Sequence, residues 1–226
     1  MKNLFKLSAL AAVIVASATY ASADTVNFVS NGSTVTYGGY SSTIADVAAT
    51  LGSTATSSIG TGGVWTAPIG TSSWVSFDPN SCPGCGSVDP NGDYSYETTF
   101  TMAAGDTSFT GSLSVMADDT TNVFLNGHEV ENDGAIGGDG KCSDAEPNCI
   151  TPFMFNLAAS GFLQAGVNIL SFDVEQTGLS GQGLDFSGTV TGSSLTTTPT
   201  PEPSTLLMLG TGLMGGAGAL FRRMRK

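Results

Sequence analysis

The sequence predicts an all-β protein: an antiparallel, jelly-roll-like β-sandwich, with a signal helix before it and a transmembrane helix after it. Apolar and polar residues alternate with a period of two in many short segments. Turn residues interrupt these segments at short intervals, and the chain contains 30 glycines among 226 residues. Helix signals are nearly absent between the two ends. Many short strands joined by turns favour a sandwich over any helical fold, and residues 24–192 suffice for one domain with its own core.

Four segments alternate most clearly, and each is predicted to be a strand with one buried and one solvated face: residues 94–102, 113–115, 170–174 and 184–190. This assignment puts Glu97 and Glu175 on solvated faces. Shorter strands are predicted at residues 25–30, 34–40, 74–77, 121–125 and 152–157. Residues 36–70, poor in large apolar side chains, are expected to form a long loop region or a peripheral hairpin. A helical turn or two is predicted from Ala158 to Ala165, ended by Gly166.

The N-terminal residues 1–23 have the pattern of a secretory signal peptide. A short basic region precedes an apolar run at residues 7–18, and Ala21 and Ala23 form the small-x-small pattern that signal peptidase cuts. The mature chain is then expected to begin at Asp24. The apolar run is short for a transmembrane anchor, which favours cleavage.

The C-terminal residues suggest a membrane span. Residues 204–221 are 18 consecutive uncharged residues, and a basic cluster follows at residues 222–226. At 1.5 Å per residue the span reaches about 27 Å, just enough to cross a bilayer core. The basic cluster is expected to hold this end in the cytoplasm. Residues 193–200 form a Ser/Thr/Pro linker between the domain and the tail.

The tail has a third part, because Pro201, Glu202 and Pro203 stand directly before the apolar span. This order of Pro-Glu-Pro, apolar span and Arg-rich end, over residues 201–226, resembles the PEP-CTERM sorting signal. The resemblance implies cutting near the Pro-Glu-Pro by an exosortase, a membrane transpeptidase-like cysteine protease. It also implies a Gram-negative-type bacterium that secretes exopolysaccharide, and delivery to the cell surface, outer membrane or extracellular matrix. The membrane is then a partner only through the tail, before cleavage.

The charge is distributed unevenly. All 19 acidic residues lie between Asp24 and Glu202, where Lys141 is the only basic residue, so this segment carries a net charge of −18. Such a segment repels nucleic acid and anionic lipid, which excludes both as partners. The charge can bind calcium, or it can simply keep an exported protein soluble.

Four cysteines suit an exported protein, because disulfides form readily outside the cytoplasm. Cys82 and Cys85 flank a Pro-Gly turn, and Cys142 and Cys149 flank a polar loop. Three pairings are open, since sequence alone does not choose among them. A zinc site that combines these cysteines with His128 is the alternative, although the second pair lacks the usual short spacing.

The core also resembles a known family. The segments that carry the resemblance, which spans residues 73–192, are residues 94–100, 117–127, 166–174 and 183–186. In this order they resemble galactose-binding-like β-sandwich domains. The resemblance implies the sandwich fold and, in such folds, calcium held by loop carboxylates and carbonyls.

Two sets of side chains are candidates for such a calcium site: Asp89, Asn91 and Asp93, and then Asp133, Asp139 and Asp144. The first set alternates like the start of a calcium loop but has Phe100 where an EF-hand needs its bidentate Glu. Its Asp-Pro-Asn-Gly sequence is also that of a plain β-turn. Calcium is therefore an expectation rather than a requirement, and no other cofactor is expected.

The function predicted from these features is non-catalytic binding of carbohydrate or matrix, with exopolysaccharide as the partner. Trp65, in Gly/Ser-rich surroundings, is the aromatic residue most expected to be exposed for stacking on a sugar. A glycosidase is one alternative, and it needs two facing carboxylates, for which Glu97 and Glu175 are available. The other is a passive matrix protein without a specific ligand. No nucleophile motif or phosphate loop favours another enzyme class.

Overall fold

Twelve strands and one short 3-10 helix are described between residues 20 and 196. The computed structural model describes residues 20–41, 54–82, 84–86, 88–135, 142, 144–196, 210–212, 214 and 221–223. The strands are β1 Tyr20–Val29, β2 Thr36–Ser41, β3 Thr54–Ala55, β4 Ser57–Ser58, β5 Val75–Ser76, β6 Gly92–Met102, β7 Ser108–Asp118, β8 Thr120–Leu125, β9 His128–Glu131, β10 Phe153–Phe155, β11 Gly166–Gln176 and β12 Gly183–Thr196. Residues 23–194 form one compact unit.

The strands form two antiparallel sheets of six strands each. The first sheet has the order β10-β7-β12-β5-β4, and β1 also pairs with β12. The second sheet has the order β3-β2-β6-β11-β8-β9. The short strands β3 and β4 each lie at the edge of a sheet, so the apolar-poor region of residues 36–70 contributes peripheral strands. The predicted β-sandwich is confirmed.

The main core lies between the two sheets. Phe172 of β11 stacks on Phe186 of β12 with ring centroids 4.7 Å apart, and these strands belong to opposite sheets. Phe28 and Phe100 make a second stacked pair across the same space at 4.4 Å. A smaller apolar cluster lies apart from this core and consists of Trp65, Trp74, Cys82, Met116, Cys142 and Cys149. It borders a carboxylate cluster formed by Asp118, Asp119, Asp133, Asp144 and Glu175, because Trp65 donates a hydrogen bond to Asp118.

The faces predicted to be solvated on β6 and β11 are largely buried, although Thr99 and Thr101 of β6 are exposed. Glu97 is 3% exposed and Asp173 is 2% exposed, and Glu175 is also buried. The predicted alternation of the two faces is correct, because Tyr96 and Phe172 lie in the main core on the opposite face. The prediction was wrong about the environment of Glu97, Asp173 and Glu175.

The helical turn also differs from the expectation. It is a 3-10 helix at Leu157–Ser160, and it ends at Gly161 rather than at Gly166. Gly161 adopts a φ of 78° as the C-cap, a conformation that glycine tolerates without a steric penalty. The Asn156 side chain caps the other end by accepting from the N–H groups of Ala158 and Ala159.

At the chain ends, the predicted signal helix at residues 1–19 lies outside the described residues. The first strand begins at Tyr20, so Ala21 and Ala23 lie in β1, and cleavage after Ala23 would leave β1 its residues 24–29. In the tail, residues 210–212, 214 and 221–223 are helical. Among the described residues there is no helix with the length and apolar character needed to span a bilayer.

Candidate functional site

A cluster of carboxylates forms where the chain crosses from one sheet to the other. Strand β7 ends at Asp118 and β8 begins at Thr120, and these strands belong to different sheets. The peptide bond between Asp118 and Asp119 is cis. Asp119 accepts from the N–H and the hydroxyl of Thr177, at 2.6 and 2.8 Å. Two consecutive carboxylates are thus fixed at one end of the sandwich.

Three further carboxylates come from the second sheet and the loop after it. Glu175 of β11 is the register partner of Asp93 on β6 and of Thr120 on β8. Asp133 follows β9, and its backbone N–H donates to the Asn122 side chain at 2.6 Å. The Asp133 and Glu175 carboxyl groups lie within hydrogen-bonding reach of each other.

A disulfide-closed loop brings in one more carboxylate. Asp144 is buried and lies in the loop that the Cys142–Cys149 bridge closes, with Cα atoms 4.9 Å apart. The N–H of Ala145 donates to the carbonyl of Ala135 at 3.0 Å, which ties this loop to the one that carries Asp133. The charge of Asp144 acts on Asp118.

The cluster is electrostatically unfavourable. Burial, the neighbouring charge of Asp119 and then the charge of Asp144 raise the pKa of Asp118 to about 8. Burial, the hydrogen-bonded Asp133 and the charges of Asp93 and Asp119 raise the pKa of Glu175 to about 8. No Lys or Arg is among the residues that the structure describes between 20 and 196, since Lys141 lies outside them. Carboxylates that are buried together are stabilised by bound protons or by a cation.

The predicted calcium sets fare differently. In the first set, Asp89 accepts from Ser81 and from the Gln182 N–H, and Asn91 accepts from the Leu179 N–H at 3.0 Å. The three side chains of that set therefore have separate partners, and only Asp93 borders the cluster, beside Glu175. In the second set, Asp133 and Asp144 both belong to the cluster, while Asp139 lies outside the described residues.

The cluster consists of pairs of carboxylates. Among the described residues, the only three ligand-type side chains with donor atoms all within 4.8 Å of one another are Asp118, Cys142 and Cys149. The two sulfurs are bonded to each other, as are those of Cys82 and Cys85. The zinc alternative therefore has no thiolate available. The zinc alternative also needed His128, whose ring stacks on Phe162 with ring centroids 4.1 Å apart.

Trp65 is not the exposed aromatic that the sequence suggested. It is 4% exposed, its ring lies 4.5 Å from that of Trp74, and its indole N–H donates to Asp118. The prediction that Trp65 stacks on a sugar is therefore wrong. Its polar surroundings in the sequence come from a loop that folds over the smaller apolar cluster.

The two glutamates of the glycosidase alternative do not face each other. Glu175 pairs with Asp93, and Glu97 lies four residues further along β6, a separation of about 13 Å along the strand. Both carboxylates are buried. Catalytic carboxylate pairs lie about 5–9.5 Å apart across a sugar, so this pair does not fit the geometry.

A separate groove of about 630 Å³ lies at the open edge of the first sheet. The edge strand β10 pairs only with Leu113–Val115 of β7, so residues 109–112 of β7 extend beyond its end. The lining residues are Phe109, Thr110, Gly111, Ser112, Met154, Phe155, Asn156, Ala158 and Ala159. The volume is within the range of about 300–1,000 Å³ that is usual for small-ligand sites.

The groove has an apolar and a polar side, because successive residues of a strand point to opposite faces. Phe109 and Phe155 are partly buried and pack against the main core, so their rings are held in place. Thr110 and Ser112 lie on the other face and are exposed. Sequence reasoning missed this site. Its only signal was the Phe-Met-Phe segment at residues 153–155, and nothing in the sequence shows that β10 is so short.

Comparison with known proteins identifies the tail. Residues 199–226 match the model of the PEP-CTERM protein-sorting motif. The chain ends in a PEP-CTERM sorting motif. The predicted PEP-CTERM motif is thereby confirmed, although Pro201, Glu202 and Pro203 lie outside the described residues. A PEP-CTERM motif implies processing by an exosortase and indicates an exported protein.

No curated protein matches the chain in sequence. In structure, the chain is similar to a family 35 carbohydrate-binding module from Clostridium thermocellum, with 12% identity, 73% of this chain and 97% of that chain covered, and a TM-score of 0.33. It is also similar to a CBM35 from Paenibacillus barcinonensis, with 13% identity, 76% and 99% covered, and a TM-score of 0.32. It is also similar to a β-glucosidase from Kluyveromyces marxianus, with 14% identity and a TM-score of 0.27. This match covers 54% of this chain and 12% of that chain. Similarity this distant does not transfer a ligand to this chain.

Proposed function

We propose that this protein is an exported, non-catalytic carbohydrate-binding module of the cell surface or the exopolysaccharide matrix. Signal peptidase would remove residues 1–23, and an exosortase would cut near Pro201–Pro203 after the tail has held the protein in the inner membrane. The observation that carries the binding function is the groove at the open edge of β7. The sorting motif supports the location.

The groove suits a sugar because it combines aromatic surface with neutral polar groups. Phe109 and Phe155 offer ring surface for the apolar face of a pyranose. Asn156 uses its Oδ1 to cap the 3-10 helix, and within the described residues its Nδ2 donates to no other group. Few precisely placed polar groups on a mostly apolar wall are typical of small-ligand sites.

Calcium is part of the proposal, at the carboxylate cluster rather than in the groove. Calcium takes six to eight oxygen ligands, and the cluster offers carboxylates alone. The residues that would hold it are Asp118, Asp119, Asp133, Asp144 and Glu175. Because the carboxylates meet in pairs, carbonyls and water would complete the coordination. Calcium would neutralise the cluster and fix the loops that carry Asp133 and Asp144.

A passive matrix protein is the second candidate, and one observation favours it. The segment from Asp24 to Glu202 carries a net charge of −18, and this charge keeps a secreted protein soluble without any ligand. The two candidates differ in one property, because a passive protein retains no glycan.

The test is a binding screen with the purified full-length chain in mild detergent, against exopolysaccharides and simple glycans, in calcium and in EDTA. Met154→Ala and Phe109→Ala are expected to weaken binding by about tenfold, the effect of one lost aromatic or apolar contact. Met154 is 66% exposed, so its truncation leaves the fold intact.

The matched control is Val167→Ala, which truncates another apolar side chain that is 54% exposed, on β11. It is expected to bind like the unmodified chain. Retention of no glycan under either condition would sink the proposal and leave the passive protein. If Met154→Ala and Val167→Ala weaken glycan binding equally, then the groove is not the binding site.

A further inference from the structure

We infer that the groove selects uncharged carbohydrate and rejects glycans that carry carboxylates or sulfates. This inference rests on the proposed function and names the ligand class of the same groove. It depends on the charges in and around the groove, and on the hydrogen-bonding groups that line it.

The lining of the groove contains no ionised side chain. Its residues are aromatic, aliphatic, hydroxyl or amide in type, in a segment whose net charge is −18. An anionic glycan needs a basic partner to offset the loss of water around its charge. None of the residues that line the groove is Lys or Arg, so these residues offer only neutral partners.

The charge identified beside the groove is of the wrong sign for an anion. Phe109 pairs in register with Gly192 on the neighbouring strand β12. Asp106 packs directly over Gly192, so that a Cβ there would meet its carboxylate. Asp24 interacts with this same carboxyl group. An anion on the Phe109 ring would therefore approach two acidic residues.

The neutral partners suit sugar hydroxyls. Within the described part of the chain, the hydroxyls of Thr110 and Ser112 bond to no protein group, and both residues are exposed. Alternate residues of an unpaired strand edge also present N–H and C=O groups outward, and residues 109–112 lie beyond the end of β10. A hydroxyl can donate to or accept from each of these groups.

The experiment compares galactomannan with polygalacturonate, using the full-length chain, in EDTA and again in calcium. Each is measured at ionic strengths of about 0.01 M and about 1 M, where the Debye lengths are about 30 Å and 3 Å. Galactomannan is expected to bind equally at both ionic strengths. Polygalacturonate is expected not to bind at low ionic strength, with or without calcium.

The variant Ser112→Lys tests the inference through a gain of binding to an anionic glycan. It adds a cation to the exposed side of the groove, so it is expected to bind polygalacturonate at low ionic strength at least about tenfold better than the unmodified chain, and to lose this gain at high ionic strength. The control is Thr99→Lys, at an exposed position of β6. It adds the same charge and should gain nothing.

The outcomes separate the two claims. Tighter binding of polygalacturonate than of galactomannan by the unmodified chain would overturn the inference and leave the proposed function standing. No gain in Ser112→Lys, or an equal gain in Thr99→Lys, would also overturn it, because the groove would not be the site. Failure of every glycan to bind would overturn both.

Discussion

The indole N–H of Trp65 donates to Oδ2 of Asp118 at 2.6 Å, at a place where Asp118 also lies against Asp119. The donated hydrogen bond favours the charged carboxylate, while burial and the neighbouring acid oppose it, and the opposition dominates. The pKa of Asp118 is about 8 as a result. We therefore expect the fluorescence of Trp65 to respond to the protonation of Asp118.

The first prediction concerns pH. The pKa values of Asp118 and Glu175 are about 8 in the folded chain, against about 4 in an unfolded chain. The stability that bound protons supply is full below pH 4 and is lost as the pH rises through 8. The melting temperature in EDTA is expected to fall between pH 5 and pH 9, and tryptophan emission is expected to titrate near pH 8.

The variant Asp118→Asn tests whether the pH dependence comes from the carboxylate cluster or from general charge repulsion. The amide oxygen still accepts from Trp65, so the variant should fold, lose the emission change near pH 8 and melt less steeply with pH. Glu129→Gln, at an exposed residue of β9, removes one charge elsewhere and should keep the emission change. A melting temperature that rises from pH 5 to pH 9 would show that the cluster is not the dominant titrating group.

The second prediction concerns calcium. Saturation to about 100 times its dissociation constant stabilises a protein by about 2.7 kcal/mol, which raises the melting temperature of a chain this size by roughly 5–11 °C. Asp133→Asn is expected to remove most of this gain at the same calcium concentration, and Glu129→Gln is expected to retain it. Calorimetry with calcium, magnesium and EDTA makes the measurement. An identical gain in both variants would place the ion elsewhere.

The third prediction concerns the bridge between Cys142 and Cys149. Their replacement by serine should cost about 2 kcal/mol through the freed loop. It should also reduce the calcium-dependent gain, because Asp144 lies within that loop. Replacement of Cys82 and Cys85 by serine, in a bridge remote from Asp144 in sequence, is the comparison. If the Cys142 and Cys149 variant loses stability but keeps the full calcium-dependent gain, then Asp144 does not bind the ion.

The fourth prediction concerns the main core. A Cβ at Gly188 would run into the ring of Phe28, which is already stacked on Phe100. Gly188→Ala is expected to lower stability by about 1–3 kcal/mol, or roughly 2–4 °C per kcal/mol. Gly60→Ala is the control, because a Cβ there meets no atom within 4 Å. Equal melting temperatures for the two variants would mean that Phe28 has room to move.

The alternation of residues 94–102 predicted β6 because inward and outward positions differ in chemistry there. The same alternation could not show that Glu97 is buried, because burial of a polar face depends on what covers it. Asn-Gly is a frequent pair in two-residue hairpin turns, because both positions of such a turn need a positive φ. Asn126 and Gly127 have φ values of 53° and 77°.

The candidate sites were harder to predict than the fold. Asp133 and Asp144 were singled out as acids in loops, but their companions Asp118 and Glu175 come from strand ends that are distant in sequence. The spacing of residues in the sequence cannot show that these side chains come together in the fold. Trp65 was misassigned because its partners Trp74 and Asp118 are a tertiary contact, and the groove depends on where one strand stops.

The position of β12 has a mechanical consequence. This strand runs to Thr196, so the first four residues of the predicted linker at 193–200 belong to the sheet. It lies between β7 and β5, with eleven register pairs to β7. A pull on the C-terminus therefore loads an interior strand along its length, and the bonds of the ladder must break together rather than one after another. Resistance to force is set by the rate of unfolding. A protein held by this end would keep its groove folded under flow or shear.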